Sequence, residues 1–157
     1  KTYTCTVCGA KKTATIAKTA HTVVTDKAVA ATFAKAGKTQ GSHCSICGKV
    51  ITAKKTVAKL KPTATTISKV TAKSKGFTVK WKKQTKNTTG YQIQYSTSGS
   101  FKSPKTVTVS KNSTTSKTML KLKAKKKYYI RIRTYKKYNG KNYYSSWSAK
   151  KSVTTKK

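Results

Sequence analysis

The sequence predicts a mainly-β chain in which a small cysteine-stapled domain precedes a β-sandwich. Three observations predict it. Two Cys-x-x-Cys-Gly knuckles stand 39 residues apart, Cys5/Cys8 with Gly9 and Cys44/Cys47 with Gly48. Beyond about residue 62, apolar and polar residues alternate with period two, the pattern of half-buried antiparallel strands. Glycine-bearing turns divide those strands at short, regular intervals.

A chain of 157 residues that is 35% hydrophobic has room for one ordinary domain or two small ones. Composition shifts near "KLKPTATT". All four cysteines and both histidines precede it, whereas both tryptophans and eight of the nine tyrosines follow. The boundary is placed at Pro62, giving domains of residues 1–61 and 62–157.

In the first domain the knuckles repeat together with a following Thr-Ala, at Thr13-Ala14 and Thr52-Ala53. "HTVVT" reads as a short strand, and "KAVAATFAKAG" as a strand and turn or a single helical turn. Ile16, Val23, Val24 and Phe33 are too few to form a self-sufficient core, so the domain needs a staple.

The strands of the second domain follow in order. "FTVKW" sets Phe77, Val79 and Trp81 on one face, and "YQIQY" does the same with Tyr91, Ile93 and Tyr95. "TVTVS" offers Val107 and Val109, and "MLKL" offers Leu120 and Leu122. "YYIRIRTY" opposes Tyr128, Ile130 and Ile132 to Tyr129, Arg131, Arg133 and Tyr135. Turns fall at Lys75-Gly76, Thr89-Gly90, Ser98-Gly99 and Asn139-Gly140, the last a type I′ hairpin signal. About seven strands in roughly 95 residues is an immunoglobulin-like count.

Together "FTVKW", "GYQIQYS", "LKAKKKYYIRIRTY" and "YSSWS" resemble a fibronectin type III domain over Thr63 to Thr155, of the lysine-rich kind found in large surface proteins of Gram-positive bacteria. The resemblance implies that Trp81 is the inner tryptophan and that Leu122 with Tyr128 forms a tyrosine corner. It also makes "YSSWS" the counterpart of a Trp-Ser-x-Trp-Ser box, with Tyr144 in place of the first tryptophan. Integrin-binding members carry Arg-Gly-Asp between the last two strands; "KYNGKN" stands here, so that activity does not carry over.

Independently of the family, Arg131 and Arg133 share a strand face, and Trp147 on the neighbouring strand can lie between their guanidinium planes. These are the only arginines among 37 basic residues, and a lysine ammonium cannot stack as a plane. A structural cation–π ladder of Arg131, Arg133 and Trp147 is the expectation. The competing reading is an exposed ligand platform of Trp147 and Tyr135.

A Cys-x-x-Cys pair places two thiolates at the spread one metal ion requires, and the following Gly lets the backbone turn its amides toward sulfur. Two knuckles make Cys5, Cys8, Cys44 and Cys47 a tetrahedral zinc set. The pattern resembles zinc-ribbon-like repeats of the form Cys-x-x-Cys-Gly, His, Cys-x-x-Cys-Gly in the same kind of bacterial surface proteins, and His21 matches the histidine. Two disulfides compete with zinc, in three possible pairings, and thioredoxin-like redox chemistry lacks its βαβ setting. His21 reads as a packed or supporting residue and not as a ligand. A Cys44 nucleophile with His43 as base is disfavoured, because sequence neighbours on an extended chain face opposite ways. The whole is thus expected to be mainly β: a small zinc-ribbon-like domain followed by an immunoglobulin-like, fibronectin type III β-sandwich.

The formal charge is +36, with Asp26 the only acidic residue. Paired-carboxylate catalysis and carboxylate-ligated Ca²⁺ or Mg²⁺ sites are thereby excluded. Such a charge attracts polyanions, and its spread along both halves suggests a whole-surface field over a shaped groove. No apolar run approaches the ~20 residues of a membrane span. The amino terminus "KTYTC" has neither Met nor an apolar signal segment, and reads as part of a longer chain. The expected function is a non-catalytic, secreted or cell-surface spacer and adhesion module of a larger bacterial protein, with an anionic cell-wall polymer or acidic glycan as partner. The alternative is a nonspecific nucleic-acid binder. Sequence-specific base readout is disfavoured, since the first domain has no arginine and only Tyr3 and Phe33 as aromatics.

Overall fold

A computed structural model describes residues 1–14 and 19–157, so Ile16 lies outside the described residues. Two units are resolved: Lys1–Ala31 with Ala36–Ala58, and Thr32–Lys35 with Lys59–Lys157. No helix occurs among the described residues.

In the first unit, β1 (Thr2–Thr4) and β2 (Lys11–Thr13) form an antiparallel hairpin around the first knuckle. Then follow β3 (Val23–Asp26), β4 (Gly37–Lys38), β5 (Gly41–Cys44), β6 (Val50–Thr52) and β7 (Thr56–Val57). They make a three-stranded sheet in the order β3-β5-β6 and a β4-β7 pair. Every residue of β1, β2, β6 and β7 is exposed. "KAVAATFAKAG" takes the strand-and-turn form: Val29 bridges to Lys38, and Thr32 Oγ1 accepts the amides of Ala34 and Lys35 at 3.2 and 2.9 Å. Gly37 must be glycine there, because a Cβ would stand 2.5 Å from the Val29 carbonyl oxygen.

Phe33 departs from expectation. It belongs to the second unit, where it is buried between the rings of Tyr138 and Tyr143 at 5.7 and 5.8 Å. An aromatic cleft offers Phe33 more apolar area than the polar strands of its sequence neighbours.

The second unit comprises β8 (Ile67–Lys73), β9 (Gly76–Trp81), β10 (Gly90–Ser96), β11 (Lys105–Val109), β12 (Ser116–Met119), β13 (Lys127–Tyr138), β14 (Lys141–Tyr144) and β15 (Lys151–Thr154). One sheet runs β12-β9-β8; the other runs β11-β10-β13-β14, with β15 also paired to β13. All pairings between these strands are antiparallel, and an isolated parallel bridge joins Ser74 to Lys156. This is the mainly-β, immunoglobulin-like sandwich that the alternation predicts. Phe77, Val79, Tyr91, Ile93, Ile130 and Ile132 are fully buried between the sheets. Asn139 and Gly140, both at positive φ (47° and 75°), close the β13–β14 hairpin as a type I′ turn does.

"MLKL" is a correction. The strand lies upstream, at Ser116–Met119, and Leu120 is exposed while Leu122 is buried. Lys121 adopts a left-handed φ of 59°, which ends the pleat and turns Leu122 inward. There Tyr128 Oη accepts the Lys123 amide at 3.3 Å, closing the corner between β12 and β13. Trp81 packs on Tyr91 at 5.2 Å between ring centroids, with its Nε1 buried and without a partner among the described residues.

Candidate functional site

The two knuckles have the same main-chain geometry. Gly9 N donates to Cys5 O and Gly48 N to Cys44 O, each at 2.9 Å, while Cys5 N reaches Ala10 O at 2.8 Å and Cys44 N reaches Lys49 O at 2.9 Å. The glycines sit at φ 70° and 71°, a conformation that a Cβ disfavours. What differs is the flank of the second knuckle. Pairing of β3 with β5, and of Ser45 N with Thr22 O at 3.0 Å, brings His21 beside it.

His21 Nδ1 lies 3.5 Å from Cys47 Sγ, and the donor atoms of His21, Cys44 and Cys47 all fall within 4.8 Å of one another. Cys44 is buried; Cys47 and His21 are exposed. Amides of Cys47 and Ile46 aimed at its sulfur lower the Cys44 thiol to about 6, against the opposing effect of burial, with smaller help from the His21 and Cys47 side chains. Cys5 is also lowered, by the Cys8 amide first, then the Cys8 side chain and the Val7 amide.

Bond lengths of ~2.3 Å to sulfur and ~2.0–2.1 Å to nitrogen place tetrahedral zinc donors roughly 3.5–4 Å apart; three donor atoms within 4.8 Å of one another could therefore hold a metal ion with small side-chain adjustment. A thiolate already favoured at neutral pH removes most of the proton competition for a metal. The structure therefore gathers Cys44 and Cys47, adds His21, and keeps Cys5 beside Cys8 outside that group. All four cysteines are free thiols. His21, which matches the histidine of the ribbon-like pattern but is expected to be packed or supporting, stands beside Cys47 because the strand after it pairs with the knuckle strand. His43 points elsewhere: its Nδ1 meets Asp26 Oδ2 at 3.1 Å. Neighbouring Cys44 and His43 thus act on different sides of β5, and they form no nucleophile–base pair.

On the sandwich, the arginine face of β13 carries a stack of five side chains. The Arg131 guanidinium carbon lies 4.2 Å from the Phe101 centroid and 4.5 Å from that of Trp147; Arg133 lies 4.3 Å from Trp147 and 3.8 Å from Tyr144. Phe101 and Tyr144 cap the two ends. The guanidinium edges are held from β10: Arg131 Nε and Nη2 donate to Gln94 Oε1 at 3.0 and 2.7 Å, and Arg133 Nε and Nη2 to Gln92 Oε1 at 2.8 and 2.6 Å. The β10–β13 register sets Gln92 opposite Arg133 and Gln94 opposite Arg131. Burial lowers the Arg133 pKa, Tyr144 acts to raise it and Arg131 to lower it.

The serines of "YSSWS" replace a missing stretch of sheet. Between β14 and β15, Ser145 Oγ and Ser148 Oγ accept the amides of Thr134 and Ile132, both at 3.1 Å. Tyr135, the second ring of the platform reading, is buried against Tyr144, which removes it as an exposed binding surface. Trp147→Ala is expected to lower sandwich stability by about 1–3 kcal/mol, because two cation–π contacts are lost at once. Urea unfolding checks it, and Arg131→Lys with Arg133→Lys should cost a similar amount although the charge is kept.

The fibronectin type III domain family model matches residues 60–151. No curated protein matches the chain. Among solved structures, the chicken CNTN1 FN1-FN3 domains align with a TM-score of 0.51 and 23% identity over 78% of this chain and 40% of that one. A human collagen alpha-1(XX) fn3 domain aligns at 0.47 and 17% over 63% and 90%. A Parabacteroides distasonis beta-1,2-glucanase aligns at 0.49 and 16% over 74% and 17%, so this chain spans less than half of the CNTN1 and glucanase structures. A family match over more than half of the residues, on a sandwich with a buried Trp81 and a tyrosine corner at Tyr128, establishes that the chain belongs to the fibronectin type III family.

Proposed function

We propose that the chain is a non-catalytic module of a larger bacterial protein, secreted or displayed at the cell surface, in which the sandwich is a spacer and the cationic surface adheres to anionic polymers. A structural zinc ion clips the first unit, with Cys44, Cys47 and His21 as one group of donors and the Cys5/Cys8 knuckle as the source of the remainder. The observation that carries the adhesion reading is the charge of +36 against a single carboxylate, itself engaged by His43. With so few internal ion pairs available, the field of the lysines is directed outward. The lone carboxylate also supports a non-catalytic role, since acid–base hydrolysis needs a second one. No helix is long and apolar enough to cross a membrane among the described residues.

The test is binding of the full chain to duplex DNA, a phosphate polymer and a heparin-like glycan over a salt series. Adhesion predicts steep loss of all three with salt. One nucleic-acid sequence held tightly near ~0.5 M salt, where the screening length is only a few Å, overturns it in favour of nucleic-acid recognition.

A further inference from the structure

One end of the sandwich carries a cleft of about 560 Å³, inside the range of ~300–1,000 Å³ usual for ligand sites. Five lysines, Lys102, Lys105, Lys121, Lys123 and Lys126, line it without a carboxylate among them. Thr97 and Ser103 add hydroxyls, and the nearly buried Tyr95 and Tyr128 also line it. Among the described residues, none of those five ammonium groups donates to a protein acceptor, whereas Lys150 and Lys151 reach the carbonyls of Gly99 and Ser68. Five like charges around one concavity repel one another unless an anion lies between them.

The backbone supplies a second, independent observation. Seven non-glycine residues adopt positive φ among the described residues, and four of them, Phe101, Ser103, Lys121 and Lys125, lie in the two loops that wall this cleft. Left-handed backbone at bulky residues is unfavourable, and it concentrates where surrounding structure holds a functional surface in shape. In the Lys121 loop it turns a run of lysines toward the cleft while Leu122 goes to the core.

We infer that this cleft is the principal anion-binding site of the chain, and that it takes consecutive phosphate groups of a non-aromatic polyol-phosphate chain. The inference rests on the adhesion reading and replaces its whole-surface field with one location. Lysine ammonium groups suit tetrahedral oxyanions as point charges, while planar bidentate recognition of carboxylates is an arginine property, and both arginines are committed to the ladder. Tyr95 and Tyr128 are 9% and 7% exposed, so neither ring in the cleft offers a free face to stack a nucleobase. The hydroxyls match the polyol portion.

The experiment compares the full-length wild type with two fivefold variants of equal charge. One carries Lys→Gln at 102, 105, 121, 123 and 126. The other carries Lys→Gln at 69, 73, 80, 82 and 117, all exposed positions on or beside the opposite sheet. Binding to poly(glycerol phosphate), heparin and duplex DNA is measured across salt, with thermal unfolding to verify the fold. The cleft variant should lose about tenfold or more in affinity for the phosphate polymer, with a salt slope smaller by about 3 to 4, and the control variant should lose far less. Equal losses in the two variants overturn the site and leave adhesion standing. No polyanion binding by the wild type overturns adhesion itself. Heparin or DNA bound more tightly than the phosphate polymer, and lost with the cleft lysines, overturns the choice of ligand.

Discussion

Tyr91→Ala is expected to destabilise the sandwich by about 3–5 kcal/mol, the cost of removing a large buried side chain and leaving a cavity. Tyr91 has no exposed surface, and its ring lies 5.2 Å from Trp81 at the centre of the core. Its hydroxyl accepts the Gln84 amide and donates to Asn112 O, both at 2.8 Å, so one side chain ties the loop after β9 to the loop before β12. Domains of this size are stable by about 5–15 kcal/mol, so the variant should be close to unfolding at 37 °C. Tyr91→Phe separates the two contributions. It keeps the ring and removes the hydroxyl, and should cost about 1–2 kcal/mol. Urea denaturation followed by tryptophan fluorescence reads both. A loss below ~1 kcal/mol for the alanine variant would mean that the two sheets are not packed through this residue.

Tyr91 was also among the residues most legible in the sequence, for a physical reason. Period-two alternation reports burial on one face directly, so β9, β10 and β13 could be read from "FTVKW", "YQIQY" and "YYIRIRTY". The arginine–tryptophan contacts followed from the same alternation. Their glutamine clamps and their outer caps, Phe101 and Tyr144, depend on register between strands distant in sequence, and composition does not carry that information. Leu120 and Leu122 misled because alternation presumes an unbroken pleat, and left-handed Lys121 breaks it. Phe33 misled because burial was sought among its sequence neighbours, when its partners Tyr138 and Tyr143 lie more than 100 residues away. The cysteine spacing identified both knuckles but could not say which outside residue would approach. That depended on β3 pairing with β5, which carries His21 to Cys47.

If a zinc ion clips the first unit as proposed, removing it from the full chain is expected to unfold that unit and leave the sandwich folded. Phe33 belongs with the sandwich, which leaves Cys44 as the buried hydrophobic residue of the first unit. Strands of two to four residues with exposed faces cannot offset the backbone entropy of ordering some fifty residues, at about 1–2 kcal/mol each, by hydrophobic burial alone. Structural zinc supplies folding free energy in small metal-folded domains, about 10–16 kcal/mol in zinc-finger peptides, of the kind that burial here does not provide. Chelation should therefore collapse the amide resonances of β3, β5 and β6 to random-coil positions while those of β9, β10 and β13 stay dispersed. Cys44→Ser and Cys47→Ser should each do the same without chelator. His21→Ala and Cys5→Ser with Cys8→Ser then apportion the remaining donors, since whichever set supplies a bond must weaken zinc retention when removed. If dispersion of the first unit survives with all four cysteines changed to serine, the ion is not what holds it. Short β ladders and the Asp26–His43 pair would then have to carry a fold for which their buried area is too small.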